Sequence, residues 1–280
     1  MVVEVTRQTF ALPRRSRQAH KGDFGRVYVL GGSVGYTGAP VFAANAAVRT
    51  GSGLVFLGVP RDIWAVTAVR CAEAMPHPLD EDPVRVLERM DGCSAALIGP
   101  GLGRCEQTDL LVRSLVETLT IPLVLDADGL NALAGHTQLL TKRAAPTVLT
   151  PHEGEFARLT GCGLPVADRA AAAASFARTH NCVLVLKGHR TVTAAPDGRL
   201  WINTSGNPGM AKGGSGDVLA GMILSLVGQG FEPGEAAAMA VWLHGRAGDL
   251  CARELGEYAM TPSDLLGALP GAMLELERNI

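Results

Sequence analysis

"VYVLGGSVGYTGAPVFAANAAVRTGSGLVFLGVP", residues 27–60, runs from a short apolar β-type segment through a glycine-rich turn into an alanine-rich segment and out into a second apolar run. The two apolar runs, 27–32 and 54–60, are rich in Val and Leu with no polar alternation, the pattern of strands buried on both faces of a parallel sheet. Between them, 39–50 reads as the crossover helix that a parallel pair requires.

The same unit recurs down the chain. "AALIGPG" (95–101), "PLVLDADG" (122–129), "TVLTP" (147–151) and "VLVLKG" (183–188) are further apolar runs that end at Gly, Pro or Asp, and helical stretches at 61–72, 105–119 and 166–180 separate them. Strand and helix alternating in this way predict an α/β fold with helices layered on both faces of a mostly parallel sheet. After residue 190 the texture changes: "TVTAAPDGRLWIN" places an Asp-Gly turn between two short strand-like runs and predicts a hairpin. Helices at 215–228 and 234–255 and a short C-terminal pair after Thr261 complete the pattern. No Pro/Ser-rich linker and no internal repeat divides the chain, so the expected organisation is an N-terminal arm, 1–20, and a single domain, 21–280.

Composition limits the function classes. With 280 residues and 47% hydrophobic content the chain can bury a full core, and 25 Lys plus Arg against 27 Asp plus Glu leave a net charge of −2, too little basic field to hold a nucleic-acid backbone. Six cysteines are scattered with no C-x-x-C pair, which argues against zinc and fits a reduced, cytoplasmic interior. The basic "PRRSRQAHKG" lacks the apolar core of a signal peptide, and no run of about eighteen apolar residues suggests a membrane span. The expectation is a soluble protein with neither nucleic-acid nor membrane partners.

Chemistry is concentrated in "NPGMAKGGSGDVLAG", residues 207–221. Gly213, Gly214 and Gly216 allow a ligand to approach the backbone, and the apolar run from Val218 predicts a helix starting near Ser215, whose exposed N–H groups would face an anion. Asp217 in that first turn serves either as an ordinary N-terminal helix stabiliser or as a general base aimed at a substrate hydroxyl. No Lys followed by Ser or Thr closes the loop, so it is not a P-loop. "GPGLGRC" (99–105) has Arg104 where a dinucleotide fingerprint needs its third glycine, and "GGSVGYTGAP" (31–40) has the wrong spacing.

Taken in order, "HKGDFGRVYVLGGSVGYTGAP", "RTGSGLV", "GPGLG", "LDADGLNAL", "LTPHEGEFARL", "LKGHRTV" and "NPGMAKGGSGDVLAG" resemble the ADP- or ATP-dependent NAD(P)H-hydrate dehydratases of the ribokinase-like superfamily over nearly the whole chain. The resemblance implies a three-layer α/β/α sandwich. It implies phosphorylation of the C6 hydroxyl of the S epimers of NADHX and NADPHX, followed by loss of phosphate to give NADH and NADPH. ADP or ATP is the implied donor, with AMP the product if ADP is used, and Mg2+ the implied cofactor.

By the same resemblance Asp217 is the catalytic base and touches substrate, and the N–H groups of Gly213, Gly214, Ser215 and Gly216 form an anion hole. Lys187, Gly188, His189, Arg190, Thr191 and Gly216 bind the nucleotide, and Ala39, Gly103 and His152 contact the hydrated dinucleotide. Glu155 holds magnesium through water. A separate epimerase would interconvert the hydrate epimers, and a homo-oligomer is expected.

Some residues keep two readings. By spacing His152 is also a helix cap after "TP", and Asp126, Asp128 and Asn131 are either turn and cap residues or groups that orient water or metal. Lys212 either steers phosphate or is a surface lysine, and His244 reads as a satisfied packing histidine. Two rival functions are a ribokinase-like kinase acting on a vitamin-precursor alcohol and a non-catalytic nucleotide sensor. "LTPHEGEF" and the 31–40 loop count against the first, and the intact "GGSGD" against the second.

Overall fold

The computed structural model describes residues 2–79 and 83–278. Its ten strands are β1 (Val2–Val5), β2 (Arg26–Leu30), β3 (Leu54–Val59), β4 (Met75–Pro78), β5 (Ala95–Ile98), β6 (Leu123–Leu125), β7 (Thr147–Leu149), β8 (Val183–Leu186), β9 (Val192–Ala194) and β10 (Leu200–Asn203). They form one sheet in the order β1-β10-β9-β8-β7-β6-β5-β2-β3-β4. Strands β2 to β8 are mutually parallel, and β9 runs antiparallel to both its neighbours, to β10 as the Asp197-Gly198 hairpin requires. Strand β1, from the segment expected to be an arm, lies parallel along β10 in the same sheet, pairing Val2 with Leu200 through Val5 with Asn203.

Period-two alternation divides the strand side chains between two cores. Val27, Val29, Val55 and Leu57 face helices α1 (Gly38–Arg49), α2 (Arg61–Arg70), α9 (Ser215–Gly228), α10 (Pro233–Ala259) and α11 (Pro262–Glu277). Tyr28, Leu30, Ala96 and Ile98 face α3 (Pro83–Met90), α4 (Glu106–Thr118), α5 (Asp128–Asn131), α6 (Gln138–Thr141), α7 (Glu153–Thr160) and α8 (Arg169–His180). Both faces are therefore covered, which is why the strands read as unbroken apolar runs. The regular part of α10 stops at Gly256 (φ 74°), and the expected C-terminal pair of helices is instead the single α11, which carries Pro270 without dividing.

Strand order reverses between β5 and β2, so the crevice at their C-terminal ends is the topological switch point where open α/β sheets take ligands. The loops after β2 and β5 interlock there: Gly32 N–H donates to the Pro100 carbonyl at 2.8 Å, and Ser33 Oγ to the Gly101 carbonyl at 2.8 Å.

Helix α9 sits close to α1 because their contact is made of small residues. Ala43, Ala44, Ala46 and Ala47 are fully buried, and a Cβ at Gly221 would stand 2.0 Å from the Ala43 carbonyl oxygen. Gly221→Ala would gain roughly 1 kcal/mol of helix propensity, but it forces two backbones apart, and overpacking costs roughly 1–3 kcal/mol. The clash wins, so Gly221→Ala lowers the urea midpoint; a raised midpoint would show that the two helices separate freely.

Candidate active site

The functional loops all leave the C-terminal ends of β2, β5, β6, β7 and β8, and the start of α9 closes over them. Gly101 and Ala39 approach closely, a Cβ at Gly101 standing 3.1 Å from the Ala39 Cβ, and a Cβ at Gly103 would stand 3.3 Å from Ser33 Oγ. Gly103 N–H donates to Asp128 Oδ2 at 2.9 Å, which links the loop after β5 to the "DADG" turn after β6. Between the two aspartates Ala127 is held at φ 49°, ψ −115°, a positive-φ conformation that costs an alanine about 1–3 kcal/mol. Gly99 makes the turn possible, since a Cβ there would stand 1.8 Å from the Asp126 carbonyl oxygen.

Asp126 is 2% exposed, and its Oδ1 accepts from Lys187 Nζ at 2.8 Å and Thr150 Oγ1 at 2.7 Å. Lys187 Nζ also lies 3.8 Å from Glu155 Oε2. Burial alone would lower the lysine's pKa, but the charges of Asp126 and Glu155 outweigh it and hold the ammonium above its ordinary value. Asp128, the first residue of α5, braces its surroundings without capping the helix: its Oδ1 accepts from Asn131 Nδ2 at 3.2 Å, and Asn131 Oδ1 in turn accepts from Arg158 Nε at 2.9 Å. Thr150 lies within "LTPHEGEFARL", but its spacing gives it no role there; its partner Asp126 is set against it only by the pairing of β6 with β7.

His152 is the N-cap of α7. Its Nδ1 accepts from Gly154 N–H at 3.0 Å and Glu155 N–H at 3.3 Å, while His152 N–H donates to Glu155 Oε2 at 2.8 Å, a reciprocal capping box. With Nδ1 accepting, Nε2 carries the proton of the neutral ring; it lies 3.6 Å from Glu155 Oε1, and the side chain is 55% exposed. The cap leaves that edge of the ring available to a ligand.

Gly214, the N-cap of α9, lies against Phe42 and Pro262, and Gly216 faces Lys187, whose Nζ would be 3.4 Å from an added Cβ. Asp217 stands in the first turn. Burial first, and then the charge of Asp126 with smaller contributions from Glu155 and Asp128, push its carboxyl up to about 7 against the opposing charge of Lys187. Asp217 is thus a carboxylate that is costly to ionise, set near Lys187 at the N-terminus of α9.

Lys212 is exposed, in line with the surface reading, and its Nζ donates to the carbonyls of Tyr258, at 2.7 Å, and Met260, which staples the glycine loop to the end of α10. His244 is 8% exposed and hydrogen-bonds the Ser215 backbone, but its Nε2 is buried with no partner among the described residues, so it is not a satisfied packing histidine. Burial pushes its pKa down to about 4 and keeps the ring neutral. An open cavity of about 410 Å3 lined by Cys162, Leu164, Val166 and Ala172 contains none of the site residues.

A mostly parallel sheet between two helical layers, with a glycine loop and an acid at a helix N-terminus beside the switch point, defines the ribokinase-like class. Residues 27–271 match the family model described as NAD(P)H-hydrate dehydratase, and the chain belongs to that family. It is 48% identical over 280 residues to the bifunctional NAD(P)H-hydrate repair enzyme of Moorella thermoacetica, covering 96% of this chain and 53% of that protein. The ADP-dependent (S)-NAD(P)H-hydrate dehydratase of Neisseria meningitidis is 39% identical over 86% of this chain and 82% of its own. The crystal structure of the ADP/ATP-dependent NAD(P)H-hydrate dehydratase of Bacillus subtilis, co-crystallized with ATP/Mg2+, superimposes with a TM-score of 0.85 at 35% identity, covering 95% of each chain. The chain spans about half the length of the bifunctional relatives it matches, such as the 53% of the Moorella protein.

Proposed function

We propose that this chain dehydrates the S epimers of NADHX and NADPHX at the expense of ADP or ATP. The observation that carries the reading is the meeting of three groups: Asp217 in the first turn of α9, the glycine loop 213–216 before it, and Lys187 facing Gly216. Asp217 takes the proton of the C6 hydroxyl as the oxygen attacks the terminal phosphorus of the donor and the bond to the bridging oxygen breaks. N–H groups of Gly213, Gly214, Ser215 and Gly216, with the Lys187 ammonium, stabilise the charge on the transferring phosphoryl group. The ring nitrogen then expels phosphate, and loss of the C5 proton restores the C5=C6 double bond.

Residues 187–191 and Gly216 hold the nucleotide, and Ala39, Gly103 and His152 line the place of the hydrated dinucleotide. Glu155 and Asp126 supply hard carboxylate oxygens, the donor type that magnesium takes, and magnesium needs only one or two such groups beside water and phosphate. Glu155, through water, would hold the ion, which when bound neutralises phosphate charge. Residues 21–280 act as a single catalytic domain, and the protein works as a homo-oligomer in the cytoplasm, where its six free cysteines would stay reduced. An epimerase would supply the S epimer.

With ADP as donor, each NADH recovered is matched by one AMP and one inorganic phosphate. A stable phosphoester accumulating in place of phosphate would instead make the protein a kinase.

The position of the Asp217 carboxyl also sets a pH dependence. Only the carboxylate accepts a proton, so kcat/KM rises with pH through a midpoint near 7. Stability follows the opposite sign: because the folded pKa is raised, this group's contribution is full below the unfolded value of 3.8 and is lost as pH rises through about 7. A rate profile flat from pH 5 to 8 would remove Asp217 from the role of base.

A further inference from the structure

Arg169 is a charged side chain near the site that the motifs do not include. It is the first residue of α8, and its guanidinium reaches across to the loop after β8, where Nη1 donates to the His189 carbonyl at 2.6 Å and Nη2 to the Leu186 carbonyl at 2.8 Å. Its Nε lies 3.1 Å from Glu153 Oε1, with the two side chains only 20% and 31% exposed. Glu153 opens α7 immediately after His152. The two segments also touch through backbone, since Lys187 N–H donates to the Pro151 carbonyl at 2.8 Å and His152 and Lys187 form an isolated parallel bridge.

One planar fork therefore donates to two carbonyls of the loop while its Nε stays in ion-pair range of a carboxylate of α7 without a hydrogen bond to it, an arrangement that the compact ammonium of a lysine cannot reproduce. The backbone consequence is specific. A trans peptide points its C=O and N–H in opposite directions, so anchoring the His189 carbonyl on α8 turns the Arg190 N–H to the other side of the loop. Gly188, at φ 151°, fits beneath the guanidinium only because it has no side chain: a Cβ would stand 2.8 Å from Nη2.

We infer that Arg169, held by Glu153, is a positioning residue for the nucleotide: it sets the backbone of residues 187–191 and ties that loop to the start of α7. The inference rests on the reading that residues 187–191 bind the nucleotide.

The test is calorimetric titration of the full chain with ADP and with ATP, beside steady-state kinetics, for wild type, Arg169→Gln, Arg169→Lys and Glu153→Gln. Arg169→Gln raises the nucleotide Kd and KM about tenfold, the size expected for losing hydrogen bonds made by a charged donor, while the KM for the hydrate stays within about twofold. Arg169→Lys recovers only part of the loss, because one ammonium does not span both carbonyls. Glu153→Gln, which leaves both carbonyl bonds in place, raises the nucleotide KM about threefold with an unchanged melting temperature. The inference is overturned if all three variants bind nucleotide as wild type does. It is equally overturned if Lys restores full affinity, or if both substrates' KM values rise in step with a lowered melting temperature. Failure of the wild-type chain to bind either nucleotide would instead overturn the underlying reading, and the role of Arg169 with it.

Discussion

Asp217→Asn lowers turnover by at least about 100-fold while nucleotide affinity stays within a fewfold of wild type, the signature of losing a general base and nothing else. The substitution keeps the shape of the side chain and its place in the first turn of α9. It removes only the ability to accept the hydroxyl proton. The fold does not suffer: burial already disfavours the Asp217 charge, and Asp126, Glu155 and Asp128 add to the repulsion. The variant's melting temperature at pH 8 is therefore equal to or above that of wild type. A variant that loses turnover together with several degrees of melting temperature would point to a structural role instead. Near-normal turnover would exclude Asp217 as the base.

Lys187→Met also lowers turnover by about 100-fold or more, the loss typical of deleting a donor that stabilises developing charge. Here the pH profile moves as well, which sets the variant apart from Asp217→Asn. Lys187 is the cation that opposes the upward shift of the Asp217 carboxyl, so without it the rising limb of kcat/KM moves to higher pH. Asp126 loses its 2.8 Å partner while 2% exposed and keeps the hydrogen bond from Thr150, so the carboxylate cluster is left with uncompensated charge and the variant is also less stable at neutral pH than at pH 5. The measurement is a pair of pH profiles, one for rate and one for melting temperature. A limb that stays in place would mean that Lys187 and Asp217 are not electrostatically coupled.

What could be read from the sequence was what is local. The parallel core strands were visible because both of their faces are buried, and the hairpin because Asp197-Gly198 dictates its turn. The edges of the sheet were not visible. Strand β4 is "MPHP", and two prolines in four residues suppress any strand signal although an edge position tolerates them; β1 is four residues long and pairs with β10, some 200 residues away. The site shows the same division. Asp217 and its glycines lie within a few residues of each other, so the motif displayed them together. Thr150, Glu153 and Arg169 matter through partners 16 to 24 residues distant in the chain, at Asp126 and Arg169 and at Leu186 and His189, and only the fold brings them there. Lys212 was legible as a residue but not as a staple, since its acceptors are backbone carbonyls of Tyr258 and Met260 that carry no sequence signature.

The central claim is that the phosphoryl group placed over the start of α9 is used to expel a hydroxyl rather than to make a stable ester. It is tested most directly by supplying the chain with the S epimer of NADHX of verified purity, magnesium, and ADP or ATP, and following the return of reduced-nicotinamide absorbance. The account predicts recovery that requires the nucleotide and that Asp217→Asn abolishes. Verified substrate that gives no recovery with either donor would contradict it.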